Sequence, residues 1–132
     1  MMRVLHHYEA GPVQQRRLDA LAADGLEVRV CPEPDEARLQ ALLPDTDVLW
    51  HCLRPVDRQL MEAAPQLKLV QKIGVGVNTI DLEYARERGI AVCNMPGTNA
   101  RAVAEQTLAL MLAAMRRLVT FDRLVRSGGG WT

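Results

Sequence analysis

The chain has 132 residues, 48% of them hydrophobic and 24% charged, with sixteen basic and sixteen acidic side chains that cancel. That is the size and balance of one globular domain with a sizeable core, and it leaves no room for a second full domain. A neutral chain whose aromatics are Trp50, Trp131, Tyr8, Tyr84 and Phe121 has neither a field to track phosphates nor a platform for stacked bases, which argues against nucleic acid as a partner.

Met-Met-Arg-Val-Leu leads directly into a strand pattern with no basic, apolar and small-residue leader, so a cytoplasmic protein is expected. Residues 3–8 read as the first strand, and Gly11-Pro12 turns into a helix over 13–23, with Pro12 at or near its first position. Residues 26–31 alternate as an edge-like strand, and Pro32 and Pro34 precede an amphipathic helix over 35–43. The run 47–53 is more continuously apolar, as a central parallel strand should be, and Arg54-Pro55 leads into a helix over 57–64. Strand four is expected at 67–73. A loop over 74–79 follows, then Asp81 as the cap of a helix over 82–88, then strand five at 90–94. Strand and helix alternate throughout. Right-handed crossovers then give one parallel sheet with helices on both faces, and the usual winding of five such units is flavodoxin-like, in the order 2-1-3-4-5.

The last helix pattern differs in kind. From Ala100 to Leu118 it is dominated by Ala, Leu and Met, and Thr107 to Met115 carries no charge on any face. That stretch is too short to span a bilayer. A helix apolar all round needs cover on all sides, and leaving Leu108, Leu110, Met111, Leu112 and Met115 wet would cost about 1.5 to 3 kcal/mol each. A partner surface is therefore expected, with a homodimer through 100–118 as the simplest cover. Residues 119–126 continue helically, and Ser127-Gly-Gly-Gly-Trp-Thr reads as a linker entry.

Cys31, Cys52 and Cys93 each sit at the end of an apolar run at wide spacing, which is neither a disulfide framework nor a zinc pattern; all three read as small buried hydrophobes. His6 and His7, like His51 and Cys52, are strand neighbours that point to opposite faces, so no metal site is expected. Ligands of parallel sheets bind outside the carboxyl ends of the strands, and that edge collects His7 and Tyr8, His51 to Arg54, Gly74 to Asn78, and Asn94 to Asn99. Arg54 and Lys72 suit a carboxylate ligand there, although Arg54 reads equally well as a solvated surface residue. Gly74-Val75-Gly76 is not a dinucleotide fingerprint, because the third glycine position holds Thr79. The two glycines make either a tight turn or a close backbone approach to a ligand, and Asn78, Asp81, Thr98 and Asn99 are candidates for helix caps as much as for ligand contacts.

Three linked segments carry a family resemblance: Lys-Ile-Gly-Val-Gly-Val-Asn-Thr-Ile-Asp at 72–81, Arg-Gly-Ile-Ala-Val-Cys-Asn-Met-Pro-Gly at 88–97, and Asn-Ala-Arg-Ala-Val-Ala-Glu-Gln-Thr at 99–107. Together they resemble the D-isomer-specific 2-hydroxyacid dehydrogenases, the family that includes D-3-phosphoglycerate dehydrogenase. The resemblance implies an NAD-dependent oxidoreductase acting on CH–OH groups, in which a flavodoxin-like substrate domain closes over a Rossmann domain. It implies substrate-binding roles for Arg54, Lys72, Gly74, Val75, Gly76 and Asn99, and places Val75 and Thr107 near the cofactor. The family's catalytic Arg, Glu and His and its glycine fingerprint have no counterpart in this sequence. The expected organisation is thus a substrate-binding domain over 1–98, an interdomain or dimerisation helix region over 99–126, and a linker stub over 127–132 toward an NAD-binding domain. Such a chain is expected to bind a small 2-hydroxy or 2-keto acid, to hold NAD poorly by itself, and to be incapable of hydride transfer alone. The alternative is a stand-alone module that binds a small carboxylate or serves regulation or dimerisation.

Overall fold

The computed structural model describes residues 1–129. Five strands, β1 (Met2–His7), β2 (Leu26–Cys31), β3 (Val48–His51), β4 (Leu69–Lys72) and β5 (Ala91–Cys93), form one parallel sheet in the order β2-β1-β3-β4-β5. This is the doubly wound α/β order expected from the alternation of elements. The helices between the strands are α1 (Pro12–Ala20), α2 (Glu36–Leu42), α3 (Arg58–Glu62) and α4 (Leu82–Glu87). Three of them start on the aspartate the sequence supplies. Asp35, Asp57 and Asp81 each accept a hydrogen bond from the backbone N–H three residues on, which satisfies one of the donors that the first turn leaves open.

One face of the sheet carries the main core. Leu5, Leu49 and Val70 stand opposite one another in register and pack with Leu39 of α2, Leu60 and Met61 of α3 and Ala85 of α4. Side chains alternate along a strand, so the residues between them face the other way; there α1 reaches the sheet through Gln14, whose amide lies 3.4 Å from His6 Nε2. At the amino ends of the strands, the Asp47 carboxylate accepts the backbone N–H of Arg3 at 3.0 Å and the Lys68 ammonium at 2.9 Å. Those bonds hold the carboxyl down at about 2, and they join the starts of β1, β3 and β4.

The chain divides into two compact units, Met1–Pro96 and a second beginning at Gly97. Within the second, the expected continuous helix is broken: α5 spans Ala100–Met115, Arg117 takes a left-handed conformation (φ 52°), and α6 spans Leu118–Arg126. The Arg117 carbonyl accepts from Thr120 and Phe121 and so begins the new helix. Behind the break is a change of pattern, from an all-round apolar run to a two-faced one, Leu118, Val119, Phe121, Leu124 and Val125 against Asp122, Arg123 and Arg126. The cysteines need a second correction. Cys31 is buried, but Cys52 is half-covered and Cys93 exposed. Cys93 pairs in register with Gln71, on the sheet face turned away from α2, α3 and α4, and on an edge strand. Of the expected linker, residues 127–129 close the helix end, and 130–132 lie outside the described residues. None of the described helices is long and apolar enough to cross a membrane.

Candidate functional site

The core row on the helix-covered face does not stay apolar to its end. Two residues beyond Leu5, Leu49 and Val70 stand His7, His51 and Lys72, again opposite one another in register. A period of two returns each side chain to the same face, so the carboxyl edge of this face ends in a titratable row. All three residues are buried: His7 is 1% exposed, His51 0% and Lys72 8%. His51 Nε2 lies 3.0 Å from Thr79 Oγ1 and 3.3 Å from Lys72 Nζ, and the ammonium also donates to the Cys52 carbonyl. An ammonium only donates. His51 Nε2 is therefore an acceptor and the ring proton sits on Nδ1, which, like His7 Nε2, is buried without a hydrogen-bond partner. Burial first, and the Lys72 charge second, push His51 down to about 4, and burial lowers His7 as well. Both rings are neutral at pH 7. Among the described residues no carboxylate forms an ion pair with Lys72.

Directly after Lys72 the chain turns through Gly74-Val75-Gly76. Gly74 has φ 157°, and a Cβ placed there would lie 3.2 Å from Lys72 Cε; the missing side chain lets the backbone lie against the lysine stem. At Gly76 a Cβ would meet Asn78 Oδ1 at 2.9 Å. Val75 between them is exposed. The loop after β3 is tied to this one through Val56 and Ile80, with Val56 N donating to the Thr79 carbonyl at 2.8 Å. That tie sets the Thr79 hydroxyl against His51.

Arg54 is engaged from two sides. Its guanidinium forms a two-pronged ion pair with Glu36 of α2, while its backbone N–H and that of Leu53 donate to Glu33 Oε1 at 3.0 and 3.1 Å. Arg54 and Gln40 hold Glu36 down at about 2. Lys72, Gly74, Val75 and Gly76 are thus gathered at one point, whereas the Arg54 charge is compensated within the protein. The other two expected site residues belong to the second unit. Asn99 occupies the N-cap position of α5 but its side chain makes no capping bond, and the Thr107 hydroxyl donates to the Val103 carbonyl at 2.7 Å. Glu33, Glu36, Thr79 and the row position of His51 were not singled out from sequence. A signal for His51 was available, since aligning the ends of the strand patterns already places it beside His7 and Lys72.

A family profile described as "D-isomer specific 2-hydroxyacid dehydrogenase, catalytic domain" matches residues 4–125. The chain belongs to this dehydrogenase family. It is similar to D-3-phosphoglycerate dehydrogenase of Archaeoglobus fulgidus, 37% identical over 120 residues, which cover 90% of this chain and 23% of that one. It is similar also to glyoxylate reductase of Thermococcus litoralis, 48% identical over 73 residues, 55% of this chain and 22% of that one. Among solved structures, the TT0316 protein of Thermus thermophilus superposes with a TM-score of 0.83 at 36% identity, covering 96% of this chain and 41% of that one. The NAD complex of an NAD-dependent formate dehydrogenase from Staphylococcus aureus does so with 0.80 at 28%, covering 100% and 43%. This chain therefore spans between about a fifth and two fifths of the relatives it matches.

The loop after β4 does not fit a dinucleotide. Where a phosphate-cradling loop needs its third glycine stands Thr79, its hydroxyl engaged by His51, and the helix that follows, α4, is only six residues long. No step of hydride transfer is assigned to this chain.

Proposed function

We propose that this chain is the substrate-binding domain of an NAD-dependent D-2-hydroxyacid dehydrogenase, and that it holds the carboxylate of a 2-hydroxy or 2-keto acid at the carboxyl edge of its sheet. One observation carries the reading. Among the described residues the buried Lys72 ammonium has only neutral hydrogen-bond partners, His51 and the Cys52 carbonyl, and a buried cation with no directly paired anion is costly until one arrives. The backbone at Gly74 lies against the lysine stem, and the Gly74 to Gly76 loop supplies N–H donors suited to a carboxylate oxygen. Val75, exposed between the glycines, is the residue proposed to meet the nicotinamide side of the ligand; for Asn99 a substrate-binding role and for Thr107 a cofactor-binding role are proposed on the family resemblance alone. The proposed division is a substrate domain over 1–98, a connecting or dimerisation region over 99–126, and a stub over 127–132 leading to an NAD-binding domain. Arg54 is proposed to act on substrate only after exchanging Glu36 for it.

The chain alone is expected to be inactive, and spectrophotometry settles this: oxidation of NADH by the pure chain with glyoxylate, pyruvate or phosphohydroxypyruvate would overturn that expectation. A second element of the reading concerns α5. Leu108, Leu110, Met111, Leu112 and Met115 are all exposed in the single chain, and a patch of this kind needs cover. A homodimer across α5 is the proposed cover, and light scattering that found a monomer at all concentrations would remove it.

A further inference from the structure

The N–H donors proposed to meet the carboxylate sit on a glycine-containing loop that by itself has many conformations, so something must aim them. The segment leaving β5 does so. Asn94 Nδ2 donates to the Val75 carbonyl at 2.8 Å, and the Met95 N–H donates to the Gly74 carbonyl at 2.9 Å. A carbonyl can only accept, so the amide of Asn94 is oriented with its NH2 toward the loop. Among the described residues there is no cis peptide, and in a trans peptide the C=O and the following N–H point in opposite directions. Fixing the Gly74 carbonyl toward the β5 exit turns the Val75 N–H away from it. Fixing the Val75 carbonyl in the same direction does the same to the Gly76 N–H. Two successive donors are thereby turned away from the Asn94–Met95 segment.

We infer that Asn94 is a positioning residue for carboxylate binding, which sets the direction of the Val75 and Gly76 amides without touching the ligand. The inference rests on the carboxylate reading of the loop proposed above. It explains a feature that neither glycine accounts for, since glycine permits the turn but does not choose which way its peptide planes face. The two anchors also differ in kind: the Met95 bond comes from the main chain and survives any side-chain change, whereas the Asn94 bond does not.

The test is a titration of the ¹⁵N-labelled chain with oxalate, followed at each backbone amide. In the native chain the Val75 and Gly76 resonances are expected to move most. In Asn94→Ala and in Asn94→Asp, which keeps the shape but loses the donor, oxalate should bind about tenfold more weakly. The ligand-free spectra of these variants should change at Val75 and Gly76 while the amides of β1, β3 and β4 stay in place. A merely structural role would spread the changes into the sheet and lower the melting temperature in step with affinity. Asn94→Gln, which retains the donor, should recover part of the lost affinity. Native-like oxalate binding by both Asn94→Ala and Asn94→Asp would overturn the inference while leaving the carboxylate reading intact. A native chain whose loop amides ignore oxalate at tens of millimolar would overturn the carboxylate reading, and the role of Asn94 with it.

Discussion

The two edges of the sheet treat charge in opposite ways. At the amino edge, the Asp47 carboxylate is met by the Arg3 backbone N–H and by Lys68, with the Arg3 guanidinium 3.5 Å away. At the carboxyl edge, Lys72 is buried against a neutral histidine and a carbonyl, and His7 Nε2 and His51 Nδ1 in the same row have no hydrogen-bond partner among the described residues. The first arrangement is complete and holds strand ends together. The second is incomplete, and its unmet capacity is what a ligand would use. Stability and binding should therefore respond to different residues.

Acid separates the two edges most strongly. The histidines have folded values below their ordinary 6.5, His51 at about 4, so the unfolded chain binds more protons between those limits. Stability is then fully present above pH 6.5 and falls as pH drops toward 4, by roughly 3 kcal/mol for His51 alone. Asp47, at about 2 against an ordinary 3.8, contributes above pH 3.8 and is lost only as pH falls toward 2. Urea unfolding at stepped pH should show a first loss that His51→Asn suppresses and a second that Asp47→Asn suppresses. Lys72→Met should weaken oxalate binding roughly 30-fold while leaving the melting temperature equal or higher, because it removes a buried charge that nothing offsets. Asp47→Ala should do the reverse: about 2 kcal/mol of stability lost, since the Arg3 N–H is stranded, and oxalate binding unchanged. Gly74→Ala is expected to cost about 1 kcal/mol in backbone strain and to weaken binding by displacing the Lys72 stem, which calorimetry and the same titration resolve. The smallest effect is expected at Glu36→Gln, which releases Arg54 and should tighten oxalate binding about threefold; weaker binding would mean that the ion pair itself holds the loop in place.

How much of this was legible in the sequence follows from the range of the interactions. Strand order and the Asp81 cap were legible because they are local: alternation of apolar runs, and an Asp three residues before the N–H it caps; Asp35 and Asp57, read as helix residues, cap in the same way. Gly74 and Lys72 were visible because they sit together. What sequence did not single out joins residues far apart, such as Lys68 to Asp47, Arg54 to Glu36, and His51 to Thr79, since spacing along a chain says nothing about such pairs until the sheet register is known. The break at Arg117 carries no Gly or Pro to announce it. The exposure of Cys93 depends on which strand is the edge and which face is covered, and that is a property of the assembled sheet.

That exposure has a practical consequence. Cys31 is buried and Cys52 half-covered, and burial raises both thiols, so an alkylating dye should reach Cys93 first. Its neighbour in sequence is Asn94. A fluorophore at Cys93 would sit one residue from the clamp on the sheet face that the main core does not use, and so would report when the glycine loop is seized or released without occupying the crevice itself.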